Sequence, residues 1–415
     1  MIFTGIKKFN FDLMGKEEHQ LMTTIRALTI KYALLQSLYW MVFCSIYGFA
    51  SVFLLSRSFE NQTIGLILAF SNILSVILQP TLGAAVDKFE KLTLKWSLIF
   101  LTILSIALLV SLLLSTGAPA IEAFLFIAVV SLVLTMQPFI NSFTFERINS
   151  GVKINFGLTR GAGSLAFALT SYTLGLLLTS FSTIILPISC IFLLSAFLIL
   201  IFSFPETTIS EVPSAPNLKL NNPLTKEKET FFKRYPRFAY FLIGAACLFL
   251  FHTIVNTYLI QIIHSLGGND SDFGLSLMIT ALCELPAMLG FSYLLTKQKS
   301  GIWLKVAAIF FVVRSILFLL SGSVFMINVT QLFQGLAFAL YIPASTYYVN
   351  QLMQKTDYVK GQAFNMGAVT LGSVAGSFIG GWLLDNAGVP EMLSAGIAAA
   401  FIGCLLLFYS VKTDI

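Results

Sequence analysis

The 415-residue sequence predicts an all-α membrane protein, with twelve transmembrane helices in two pseudo-symmetric six-helix bundles. Three observations carry that reading. Long apolar runs recur along nearly the whole chain, basic residues are confined to alternate connections, and one long polar segment sits near the middle. Composition agrees, with 57% hydrophobic and 11% charged residues and a mean hydropathy of +0.87.

Crossing ~30 Å of hydrocarbon takes about 20 apolar residues in a helix. Runs of that length lie at about 31–55, 63–86, 96–115, 121–143, 158–180 and 183–204 in the first half. The second half repeats the pattern at about 238–262, 273–295, 303–321, 324–348, 361–384 and 392–411. Lipid offers the backbone no hydrogen bonds, so a spanning segment must be a helix or part of a closed barrel. Barrel strands alternate apolar and polar residues; these runs are continuously apolar. The division expected is a tail over 1–27, a bundle over 28–204, a linker over 205–237 and a second bundle over 238–411. The linker reading follows from its Pro, Ser, Asn and charge content between spans six and seven.

With twelve spans, Lys7, Lys8, Lys16, Arg26, Lys88, Lys91, Lys95, Arg147 and Lys153 share one side with both termini. So do the linker cations, Lys297, Lys299, Lys305, Lys355, Lys360 and Lys412. The other side holds Arg57 among Glu60, Glu122, Asp270, Asp272, Asp385 and Glu391. This asymmetry predicts a multi-pass protein of the cell membrane with both ends in the cytoplasm. It also accounts for the net charge of +6 without a nucleic-acid partner. No cleavable signal is read in the first 27 residues. Five unpaired cysteines inside apolar runs suggest neither disulfides nor a metal site. No nucleophile elbow or phosphate loop appears, so neither an enzyme nor a cofactor is expected.

The halves echo one another. Span two ends in "QPTLGAAVDK" (Gln79 to Lys88) and span eight in "ELPAMLGFSYLLTK" (Glu284 to Lys297), each with a proline shortly before a glycine. Spans five and eleven are both glycine-rich. Gly372, Gly376 and Gly380 recur every fourth residue, a spacing that lets helix backbones approach in lipid. Two related bundles with a site between them form a transporter arrangement.

Arg160, Glu284 and Arg314 stand out within these runs. An ion at the centre of a membrane helix costs at least ~2.5–3.5 kcal/mol and by default marks a path for something polar. Glu284 is the candidate for holding both solute and proton, balanced by Arg314 or Arg160; the competing reading is a fixed ion pair between helices. A guanidinium at Arg160 suits sugar hydroxyls or a carboxylate; alternatively it snorkels towards headgroups. His252 and Asn256 share a face of span seven, with Gln261 further along. Tyr39 and Trp40 in span one face either the path or a neighbouring helix.

Four segments resemble the major facilitator superfamily, and within it the oligosaccharide:proton symporters of the lactose permease kind. They are "TIGLILAFSNILSVILQPTLGAAVDK" (Thr63 to Lys88), "NFGLTRGAGSLAF" (Asn155 to Phe167), "ALCELPAMLGF" (Ala281 to Phe291) and "GGWLLDNAG" (Gly380 to Gly388). The resemblance implies a sugar-binding arginine at Arg160, an aromatic platform at Phe167 and a sugar-binding carboxylate at Glu284. It also implies proton coupling through Glu284, Arg314 and Glu146, and a gate at Gly83, Asp87 and Lys88. The family's span-four glutamate falls on Asn141 or Ser142, depending on a one-residue gap. Its span-ten histidine and carboxylate have no counterpart between Gly322 and Lys355. The expectation is a monomeric, proton-coupled importer of a sugar-like solute. The alternative within the superfamily is a proton-driven exporter of amphipathic compounds, to which the 40 phenylalanines are suited.

Overall fold

The computed structural model describes residues 28–89, 92–115, 117–150, 152, 154, 156–204, 231–354 and 357–414. The expected tail (1–27), most of the linker and Lys91, Lys153 and Lys355 lie outside the described residues, as does the side chain of Asp87.

Among the described residues all regular structure is helical. Eleven helices are long and apolar enough to cross a membrane, and a bent pair at the start makes a twelfth. We number them α1 to α12. The bent pair α1 is Leu28–Gly48 followed by Ala50–Ser56. Then come α2 (Asn61–Lys88), α3 (Leu94–Leu114), α4 (Pro119–Asn149), α5 (Phe156–Leu178) and α6 (Ile185–Phe202). The second bundle has α7 (Pro236–Thr257), α8 (Asp270–Lys297) and α9 (Ser300–Leu320). It closes with α10 (Val324–Leu352), α11 (Tyr358–Asn386) and α12 (Val389–Ser410).

The halves echo each other in their irregularities. The first helix of each is interrupted on the acidic side. In α1 a π-helical stretch, Cys44–Gly48, precedes a 41° bend, and α7 stops at Tyr258 before a short helix, Leu259–Ser265, resumes. Interior prolines fall at Pro80 of α2 and Pro286 of α8, and at Pro138 of α4 and Pro343 of α10. Each proline removes one backbone donor, so each pair marks corresponding weak points in the two bundles. Helix α10 is broken as well, by a 3₁₀ turn at Leu332–Gln334.

Glycine decides how closely the helices approach. In the second bundle a side chain at Gly372 would collide with the Ala246 backbone of α7, and one at Gly376 with the Leu250 carbonyl. The four-residue stripe read from sequence is thus the face on which α11 meets α7. Between bundles the same device works at two places on the acidic side. Gly175 of α5 lies against Asp270 and Gly274 of α8, and Gly65 of α2 against the Ser377 carbonyl of α11.

Hydrogen bonds join the bundles on that side too, including Ser51 Oγ donating to the Thr257 carbonyl at 2.5 Å. On the lysine-rich side Gly83, Gly161, Gly290 and Gly367 face open space. The bundles are therefore closed towards the acidic face and parted towards the basic one. Gly372→Leu should force α11 off α7, an overpacking defect of about 1–3 kcal/mol. It should lower the thermal unfolding midpoint of detergent-solubilised protein, and an unchanged midpoint would contradict the packing described.

Candidate functional site

The parted bundles leave a central cavity of about 500 Å³, walled by both halves. From the first bundle come Trp40, Asn72, Gln137, Arg160, Ser164 and Phe167; from the second, His252, Asn256, Thr280, Glu284, Gln334 and Phe338. Arg160, Phe167 and Glu284 are thus brought together around one space, the two charges on opposite walls.

The α5 wall follows from helical spacing. Arg160, Ser164 and Phe167 are four and three residues apart, so they stack along one face. Arg160 Nη1 donates to Ser164 Oγ at 2.8 Å, and its guanidinium lies 4.0 Å from the Trp40 ring centroid. A cation over an indole face is attracted by the ring quadrupole. Gly163 makes that shelf possible, because a side chain there would strike the Trp40 ring. Phe167 sits 6.4 Å from Trp40 and 6.3 Å from Phe43 by ring centroids. The result is an aromatic corner holding one fixed cation.

Opposite, Glu284 Oε1 accepts from Gln334 Nε2 at 3.0 Å. Ion pairs within 4 Å among the described residues include Arg57–Glu122, Arg234–Asp357 and His264–Asp270. Neither Arg160 nor Arg314 comes within 4 Å of the Glu284 carboxylate. Gln334 belongs to the break in α10, and Gly335 beside it packs on the Cys283 carbonyl of α8.

Arg314 is fully buried behind this wall and does not line the cavity. Its Nη2 donates to Gln331 Oε1 at 2.8 Å, and the rings of Phe318 and Phe251 lie 5.1 and 5.9 Å from its guanidinium carbon. Two glutamines of α10, three residues apart, therefore hold the two ions, Gln331 holding Arg314 and Gln334 holding Glu284.

Other expected residues lie elsewhere. Asn141 accepts from Gln36 Nε2 of α1 at 3.0 Å and is no part of the wall; Gln137, one turn away, fills the place of α4 there. Glu146 is partly buried in the last turns of α4, away from the cavity. Gly83 and Lys88 sit at the basic end of α2, with Lys88 Nζ 5.6 Å from the Phe89 ring.

The His252 ring stacks on Phe338 at 4.5 Å with 4° between planes, and its Nε2 lies 2.8 Å from Asn256 Nδ2. Both residues join the wall, as does Trp40, while Tyr39 is buried beside it. Sequence reasoning missed Asn72, Gln137, Thr280 and Gln334 as residues of the wall. Being uncharged, each is inexpensive in a helix and gives a weak signal; Asn72 also donates to its own Leu68 carbonyl at 2.7 Å.

The chain shares 23% identity over 393 residues with a maltose permease of Geobacillus stearothermophilus, covering 92% of this chain and 94% of that one. Its fold matches the solved nucleoside transporter NupG with a TM-score of 0.74 at 18% identity, covering 92% of this chain and 97% of that one. A peptide transporter, POT, matches with a TM-score of 0.67 at 11% identity, covering 92% and 95%. Residues 29–393 match the family described as MFS_1 like. The chain therefore belongs to that family of major facilitator transporters: a multi-pass membrane carrier of small solutes, and not an enzyme.

Proposed function

We propose that this protein is a proton-coupled secondary transporter that imports a sugar or sugar-like polar solute by alternating access. The observation that carries the reading is the placement of Arg160 and Glu284 on opposite bundles across one cavity, neither in an ion pair within 4 Å among the described residues. A solute with both donors and acceptors completes the two walls at once: its oxygens take guanidinium protons and its hydroxyls donate to the carboxylate. The aromatic corner at Trp40 and Phe167 offers a flat apolar surface to a ring that is hydroxylated at its edges. Likeness to a maltose permease is in keeping with that class of cargo.

The lysine-rich side is assigned to the cytoplasm of the cell membrane by the positive-inside rule. On that assignment the parted bundles form an inward-facing state with both termini cytoplasmic. Walls from both halves of one chain support the monomer as the unit of transport. Asp87 with Gly83 and Lys88 is assigned to the gate that shuts the cytoplasmic side when the bundles rock the other way. Proton coupling centres on Glu284. Its hydrogen bond comes from a neutral amide, so the carboxylate is free to exchange a proton for a solute hydroxyl. Arg314 biases it as a buried positive charge behind the same wall, and Glu146 is assigned to the cytoplasmic end of the proton's path. A second reading, an exporter of amphipathic compounds, draws on the six aromatic rings of the wall: Trp40, Phe43, Tyr47, Phe167, Phe249 and Phe338.

Reconstituted vesicles assayed with mono- and disaccharides separate the readings. Import predicts sugar uptake accompanied by alkalinisation outside, whereas pH-driven extrusion of lipophilic cations with no sugar flux selects the exporter. Glu284→Gln should abolish proton movement and lower uptake at least tenfold; unchanged rate and pH dependence would refute the assignment. Arg160→Lys should weaken solute binding at least tenfold at normal membrane abundance, because an ammonium has neither the planar fork nor the same seat on Trp40. Retained binding would contradict it.

A further inference from the structure

We propose that Asp385 is a gating residue whose carboxylate latches the acidic side of the transporter shut by capping the N-terminus of α2 across the bundle interface. The inference rests on the alternating-access reading above and concerns a contact far from the cavity.

The first turn of any helix leaves backbone N–H groups without partners, and a residue at the N-cap position normally satisfies them. In α2 that position is Glu60, whose side chain makes no capping bond. The acceptor comes instead from the end of α11, in the other bundle. Asp385 Oδ2 accepts from the Gln62 amide at 2.7 Å, and Oδ1 accepts from the Asn61 amide at 3.3 Å and from Asn61 Nδ2 at 2.6 Å. A negative charge is also favoured here by the dipole of α2.

The rest of Asn61 is held from the same bundle. Its Oδ1 accepts from Gln261 Nε2 at 2.8 Å, and its carbonyl accepts from the Tyr258 hydroxyl at 3.3 Å. Gly381, one turn before Asp385, allows the approach, because a side chain there would strike the Asn61 carbonyl. Among the described residues, these cross-bundle partners of Asn61 and Gln62 come from α11, from the cap of α7 at Tyr258 and from the short helix Leu259–Ser265 that follows it. Parting the bundles on the acidic side strips the terminus of all of them together, so the latch stabilises the closed arrangement selectively.

The test uses the full chain, with its native cysteines replaced and a single reporter cysteine at Leu277, a cavity-wall residue of α8. A membrane-impermeant maleimide is applied to the face bearing Asp385 and, in oppositely oriented vesicles, to the other face. Asp385→Asn should speed labelling from the Asp385 face at least fivefold. Asn61→Ala should do so at least threefold, and serves if the first variant is poorly made. Glu391→Gln, a charge change on the same face, should leave the rate unchanged. If the parent is labelled equally from both faces, alternating access fails and the latch with it. If the parent is one-sided and Asp385→Asn matches it, or Glu391→Gln moves the rate as much, the latch alone is overturned.

Discussion

Holding an ion away from bulk water costs free energy that only nearby charges, dipoles or polarisable surfaces return, and three ions in this molecule meet that cost differently. Arg160 lies on an indole and bonds a hydroxyl, Arg314 is sandwiched by phenylalanines and bonds an amide, and Glu284 takes a single amide donor. None is neutralised by direct contact with another. Two of the three depend on the broken stretch of α10, so that irregular turn positions the chemistry of the second bundle. A regular helix there would carry Gln331 and Gln334 to other angles and leave both ions short of a partner.

Close backbone approach is the second constraint. Lipid supplies no hydrophobic drive between helices, so contact area must come from small residues. The same residue type serves two ends. Within a bundle, Gly372 and Gly376 fuse α11 to α7 as a rigid unit. Between bundles, Gly175, Gly274 and Gly65 bring the helix backbones together at the acidic side, where side-chain hydrogen bonds also cross.

Much of this was legible in the sequence, for physical reasons. The span count follows from hydrocarbon thickness, and the sidedness of the loops from their lysines, because both are set by the bilayer and need no knowledge of tertiary contacts. Arg160 and Glu284 were legible because an ion in an apolar run is conspicuous, and Phe167 because a family resemblance covered it. What stayed hidden depends on helix rotation. Asn141 and Gln137 are one turn apart, and only packing shows that the first meets Gln36 while the second meets the cavity. The break in α10 has no proline or charge within it to announce it, and the joining of Asp385 to Asn61 spans 324 positions of sequence.

The seat of Arg160 on Trp40 has an optical consequence. A guanidinium fixed 4.0 Å from an indole perturbs that ring's excited state. The other three tryptophans, Trp96, Trp303 and Trp382, are not among the residues lining the cavity. Any cargo that draws the arginine away from the ring would register as a change in the intrinsic fluorescence of this one side chain. The protein thus carries its own dye at the point where its passenger docks.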